Sequence, residues 1–100
     1  HIKKRYEDLQ VHYVKKDLYE IGKIEIKSPQ GNPIPVYDIE RTVCDIIIDR
    51  EKIDKQIFTE AIKRYFKSQN KNLRRLIKYG RLFKIEDEIR KYMEVLSWLI

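Results

Sequence analysis

The stretch Val36-Tyr37-Asp38-Ile39-Glu40-Arg41-Thr42-Val43-Cys44-Asp45-Ile46-Ile47 limits the fold most, because the backbone has to change from strand to helix at Asp38. Asp38 is a helix N-cap by type, since its carboxylate can accept from the unpaired N–H groups of a first turn. Glu40 follows within that turn, where negative charge suits the helix dipole. Ile39, Val43, Ile46 and Ile47 recur at helical spacing and give one apolar face. Arg41 and Asp45 stand four apart, so they read as a surface pair worth a few tenths of a kcal/mol. Glu40, Asp45 and Asp49 read as surface charges: Glu40 and Asp45 lie about 140° apart around a helix axis, too far apart for a tight metal cluster.

Before Asp38 the pattern is β. Leu9, Val11 and Tyr13 alternate, and Ile24 and Ile26 alternate with Lys23, Glu25 and Lys27. Ser28-Pro29-Gln30-Gly31-Asn32-Pro33 is a dense turn signal, after which Ile34-Pro35-Val36-Tyr37 returns as a short strand. Pro35 has no N–H to give a ladder, so this strand is expected at an edge or paired on one side there. After Asp38 the pattern is helical. Asp54 caps a second helix with Ile57, Phe58, Ala61, Ile62, Tyr65 and Phe66 on one face, and Ser68-Gln69-Asn70 breaks it. A third helix starts near Asn70. A fourth starts with the acidic Glu86-Asp87-Glu88 and turns Ile89, Tyr92, Met93, Leu96 and either Leu99 or Ile100 inward. The expectation is an α+β fold: a small antiparallel sheet of about three strands (roughly 9–15, 21–27 and 34–37), then four helices (roughly 39–49, 54–67, 70–82 and 86–99). One hundred residues make one domain.

Composition narrows the function classes. The 38% of charged residues is of mixed sign and accompanies 42% hydrophobic residues, which favours a folded core over disorder. No apolar run reaches the roughly 18–20 residues of a membrane span, and no signal peptide pattern is present, so a reduced, cytoplasmic setting is expected. The single cysteine, Cys44, cannot form an internal disulfide and reads as a buried thiol. The sequence starts at His1, not Met, so a preceding N-terminal part is expected.

Charge is unevenly distributed. Residues 1–50 carry nine basic and nine acidic residues, residues 51–100 carry thirteen and seven, and Ala61 to Ile85 holds nine basic residues and no acid. On a helix from Asn70, the cations Lys71, Arg74, Arg75, Lys78 and Arg81 share one face for about 15 Å. Leu73, Leu76, Ile77, Gly80 and Phe83 share the other. Such a strip can bind nucleic acid through its phosphates or dock an acidic protein surface, and Tyr79 beside it could stack on a base. Gly80 either lets a neighbouring helix approach or ends the helix early. Glu25-Ile26-Lys27 with Asp17 upstream has the outline of a metal-dependent nuclease site. The pattern is also what the wet face of any half-buried strand shows, and no proline precedes Asp17. No catalytic residue, metal ligand or cofactor site is therefore assigned.

Three segments carry a resemblance to a known family. The first is Ile21-Gly22 leading through the Gly31 turn to Val36-Tyr37-Asp38. The second is Glu40-Arg41-Thr42-Val43-Cys44-Asp45-Ile46. The third is the helical tail, with Ala61-Ile62-Lys63-Arg64-Tyr65, Leu73-Arg74-Arg75-Leu76-Ile77-Lys78-Tyr79 and Arg90-Lys91-Tyr92-Met93-Glu94-Val95-Leu96. Together they resemble the C-terminal domain of the AbiEi abortive-infection antitoxins, over about Tyr13 to Leu96. One departure is Gly80, where the family pattern implies alanine. The resemblance implies a two-domain parent with an operator-binding N-terminal winged helix, which this stretch does not contain. It further implies a non-enzymatic antitoxin module that opposes a nucleotidyltransferase-like toxin and supports repression of its own promoter. The alternative is a protein-interaction or dimerisation domain without nucleic-acid binding.

Overall fold

The computed structural model describes residues 18–97. Residues 18–20 are helical and lead through a turn at Ile21 and Gly22 into a two-stranded antiparallel hairpin, β1 (Lys23–Lys27) and β2 (Pro33–Tyr37). Four helices follow: α1 (Ile39–Ile48), α2 (Lys55–Lys67), α3 (Leu73–Leu82) and α4 (Glu86–Ser97), with a 3-10 turn at Arg50–Lys52 between the first two. The α+β order is as expected. The expected strand over 9–15 and the end of the fourth helix lie outside the described residues, and two strands pair among those described.

The hairpin register follows from its turn. Ser28 and Asn32 close a three-residue loop by Ser28 N–H to Asn32 O at 2.9 Å, with Gly31 at φ +85° where a side chain would be strained. The opposite end closes by Asp38 N–H to Gly22 O at 2.7 Å. Hydrogen-bonded pairs thus fall on even residues, Ile24 with Val36 and Ile26 with Ile34, while Pro33 and Pro35 face Lys27 and Glu25 in the non-bonded positions. Both proline nitrogens therefore turn to the outer edge of β2, where no ladder bond is lost. Ile24, Ile26 and Ile34 are 46%, 49% and 39% exposed, so the hairpin stands proud of the core.

The core lies among the helices: Val43, Cys44 and Ile47 from α1, Ile62, Tyr65 and Phe66 from α2, Leu76 from α3, and Ile89 and Leu96 from α4. Two expected core residues are displaced. Ile39 is 51% and Ile57 64% exposed, because each sits at the margin of its helix's apolar arc. Cys44 takes the inward place on α1 that the spacing had given to Ile39.

Helix ends agree with capping chemistry. Asp54 accepts from Gln56 N–H at 2.9 Å and from Ile57 N–H at 3.2 Å, so α2 starts at Lys55. Arg50 Nη1 donates to Ile47 O at 2.8 Å and closes the end of α1 one residue earlier than expected. Helix α3 starts three residues later than the pattern suggested, because Asn72 is its N-cap and accepts from Arg75 N–H at 3.0 Å. It ends where Lys84 takes a left-handed conformation, φ +61°, with Ile85 N–H bonded back to Gly80 O at 2.8 Å and Lys84 N–H to Arg81 O at 3.3 Å. Gly80 lies in the contact between α3 and α4: a Cβ there would stand 2.5 Å from Ile89 Cδ1 and 3.4 Å from Glu86 Cα. Of the two roles open to Gly80, close helix packing is the one observed.

Candidate functional site

Two features could carry function. The first is a buried polar network at the start of α1. As the N-cap, Asp38 accepts from Arg41 N–H at 2.8 Å through Oδ1, and its Oδ2 accepts from the Tyr79 hydroxyl on α3 at 2.7 Å. Glu40, 1% exposed, accepts through Oε2 from the Tyr65 hydroxyl of α2 at 2.8 Å and from Asn72 N–H at 3.0 Å. Arg75 reaches back from α3 to both carboxylates, with Nη1 3.8 Å from Asp38 and 3.6 Å from Glu40.

Arg41 works in the opposite direction. Its Nη1 donates to Leu18 O at 2.6 Å and Ile21 O at 2.8 Å, and its Nε to Asp45 at 3.2 Å. The guanidinium lies over the rings of Tyr37 and Phe83, 4.2 and 4.7 Å from their centroids. Gly22 makes room for it: a Cβ there would lie 2.5 Å from Arg41 Cβ, and the residue has φ +81°. Thr42 Oγ1 donates to Asp38 O at 3.0 Å. Glu40 and Arg41, which the sequence placed at the surface, are thus buried. Arg41 is a clamp on the chain entering the hairpin, not half of an exposed pair.

This network holds the fold, and its polar side chains are spent on one another. Every buried side-chain polar atom among the described residues has a partner. Burial, followed by the hydrogen bond to Glu40, pushes the Tyr65 phenol well above its ordinary range. Burial and Asp38 push Tyr79 up to about 12, so both remain neutral donors. Burial likewise pushes the Cys44 thiol up to about 12, which removes it as a nucleophile near neutrality. Among the described residues no three of His, Cys, Asp and Glu converge as metal ligands. Glu25 and Lys27 stand exposed on β1, and Asp17 lies outside the described residues.

The second feature is the expected basic strip, and here the structure revises the geometry. Lys71 precedes the helix and donates from Nζ to Ser68 O at 3.0 Å. Arg75 is turned to Asp38 and Glu40. Arg81 pairs with Glu86 at 3.1 Å. Tyr79, expected to flank the strip as a stacking platform, is spent on Asp38. The acids missing from the local sequence come from elsewhere in the fold. Arg74 and Lys78 are exposed and make no ion pair among the described residues. Arg74, Lys78 and Arg81 nevertheless come together with Leu73, Ile77 and Leu82 around a cleft of about 570 Å³ on the outer side of α3.

Sequence reasoning missed the network because the bonds that tie Asp38, Glu40 and Arg41 to other elements join residues 20 to 41 apart in the chain. One signal was available: Glu40, Cys44 and Ile47 are spaced i, i+4, i+7, which puts the glutamate on the apolar face. No described helix is long and apolar enough to cross a membrane. Comparison of the chain with protein-family models and with curated proteins finds none that matches.

Proposed function

We propose that the chain is the antitoxin module of an AbiEi-type abortive-infection system. On this reading it is a binding protein, not an enzyme, which opposes a nucleotidyltransferase-like toxin in the cytoplasm and supports repression of its own promoter. What supports the reading is where its residues meet. Gly22, Tyr37 and Asp38 come from the first resembling segment, Glu40, Arg41 and Asp45 from the second, and Tyr65, Arg75 and Tyr79 from the third. All nine meet around Asp38, Glu40 and Arg41, in the network at the start of α1. Residues that specify a fold in concert are those a shared architecture would retain together.

Nucleic-acid contact through the strip would rest on Arg74 and Lys78 rather than on five cations. Two phosphate contacts give a salt dependence of log K with a slope of about −2. The alternative, a protein-interaction surface, is favoured by one observation: the aliphatic side chains of Leu73, Ile77 and Leu82 line the cleft together with the cations.

The test is growth rescue. The chain is co-expressed with the product of the reading frame adjacent to its own, under conditions where that product alone arrests growth. Rescue is expected, and Glu40→Ala, which unties the network, should weaken it. Continued arrest beside a soluble, folded chain would overturn the antitoxin reading.

A further inference from the structure

We infer that β1 pairs edge to edge with β1 of a second copy of this chain, antiparallel across a two-fold axis at Ile26. This pairing goes beyond the antitoxin reading and does not rest on it. The hairpin register fixes which backbone groups are free. The even residues of β1 bond to β2, so the N–H and C=O groups of Lys23, Glu25 and Lys27 point to the open edge. All five residues of β1 are exposed, and among the described residues no other strand lies along that edge. Such an edge is a template for a further strand.

Charge selects the partner and the register. Lys23-Ile24-Glu25-Ile26-Lys27 alternates basic, apolar, acidic, apolar and basic. Turned antiparallel on itself about Glu25, the strand sets Glu25 against Glu25 and each Lys23 against Lys27, and like charges directly opposite are destabilising. Turned about Ile26, it sets Glu25 against Lys27 twice, both in hydrogen-bonded positions. Ile26 then meets its own copy in a non-bonded position, with Cβ atoms about 4.5–5.5 Å apart. A turn about Ile24 would set Glu25 against Lys23, but Lys23 is already paired with Glu20 at 3.1 Å. Glu25 and Lys27 make no ion pair among the described residues. On their own hairpin they face Pro35 and Pro33, which offer no charge. The axis at Ile26 thus joins the charges that the fold leaves over. It lies nearer the Ser28 turn than the start of α1, so the two sets of helices fall at opposite ends of the joined hairpins. Ile24 and Ile26, 46% and 49% exposed in one chain, continue a single apolar face across the joint.

The test is sedimentation equilibrium of the full chain at up to about 100 μM, since an interface of two short strands is small. Twice the mass of one chain is expected. Glu25→Lys and Lys27→Glu each set like charges against one another at both pairs, and each should weaken dimerisation about tenfold. Mixed in equal amounts, the two variants again oppose unlike charges at both pairs, and the tighter dimer should return. Both positions are exposed and face a proline, so neither substitution takes an ion pair from the hairpin, and circular dichroism checks that each variant folds. A single-chain mass for the unaltered protein would overturn the inference and leave the edge to a strand of the same chain. Dimerisation that survives both substitutions would also overturn it, by placing the contact elsewhere. Loss in both variants with no return on mixing would do the same.

Discussion

Replacing Glu40 with alanine should lower the stability of this domain by about 3 kcal/mol, and the structure gives the components. The carboxylate is 1% exposed and accepts two bonds, from the Tyr65 hydroxyl at 2.8 Å and Asn72 N–H at 3.0 Å. Without it the Asn72 N–H keeps a partner, because it also donates to the Tyr65 oxygen at 3.2 Å. The Tyr65 hydroxyl, on a residue 3% exposed, keeps none for its proton. An orphaned buried donor costs about 1–3 kcal/mol. The void left by the side chain adds about 1–2 kcal/mol, and relief of the carboxylate's own desolvation offsets part of the total. In a domain of this size a loss of 3 kcal/mol lowers Tm by roughly 12–24 °C. Urea unfolding followed by circular dichroism measures it, with two companions. Glu40→Gln keeps an acceptor in place and should cost about 1 kcal/mol, since mainly the charge is lost. A cycle of Glu40→Ala with Tyr65→Phe should show a coupling of about 1 kcal/mol, because the double variant leaves no buried hydroxyl proton without an acceptor, while Asn72 N–H, which loses both of its acceptors there, takes part of that gain back. A loss below about 0.5 kcal/mol in Glu40→Ala would refute the argument, being the value for a solvated charge near a helix start.

Three further outcomes are expected. Lys84→Gly should raise stability by about 1 kcal/mol in the same urea assay, since glycine takes the φ of +61° at the end of α3 without strain. Cys44, 0% exposed and with its thiol pushed up to about 12, should resist iodoacetamide at pH 8 in the folded protein and react once urea unfolds it, as mass spectrometry would show. Tyr79 holds its proton more tightly folded than unfolded, so its contribution is complete below about pH 10 and lost as pH rises to about 12. Tyr79→Phe should therefore flatten the alkaline fall in stability between those two values.

Local chemistry was legible in the sequence, and long-range chemistry was not. Asp38 and Asp54 announced their helices because a cap acts within three residues. The Gly31 turn announced the hairpin in the same way. The third helix is legible but not its first residue: Asn70 and Asn72 are both capping types, and Asn72 is the one that accepts from Arg75 N–H while its own N–H donates to the distant Glu40. Ile39 and Ile57 were placed inside because periodicity finds a helix's apolar face and not the width of the arc its neighbours cover. The five cations of the strip looked unpaired because a linear window cannot show that Asp38, Glu40 and Glu86 fold back onto Arg75 and Arg81. The Arg74, Lys78 and Arg81 cluster survived because its spacing along one helix is itself a local property.

Pro33 and Pro35 bear on how this protein can associate. An exposed strand edge recruits another strand, and the recruited strand offers its own far edge to the next, so pairing propagates. Here the outer side of β2 presents two ring nitrogens where the next strand would seek donors. Any strand that joins the hairpin must do so along β1, and a sheet grown from there still ends at the proline side. Two molecules joined through β1 would both present proline outward and could add no third. Edge pairing in this fold therefore stops at a closed unit, so the exposed isoleucines of the hairpin carry less risk of fibre formation than their hydrophobicity alone implies.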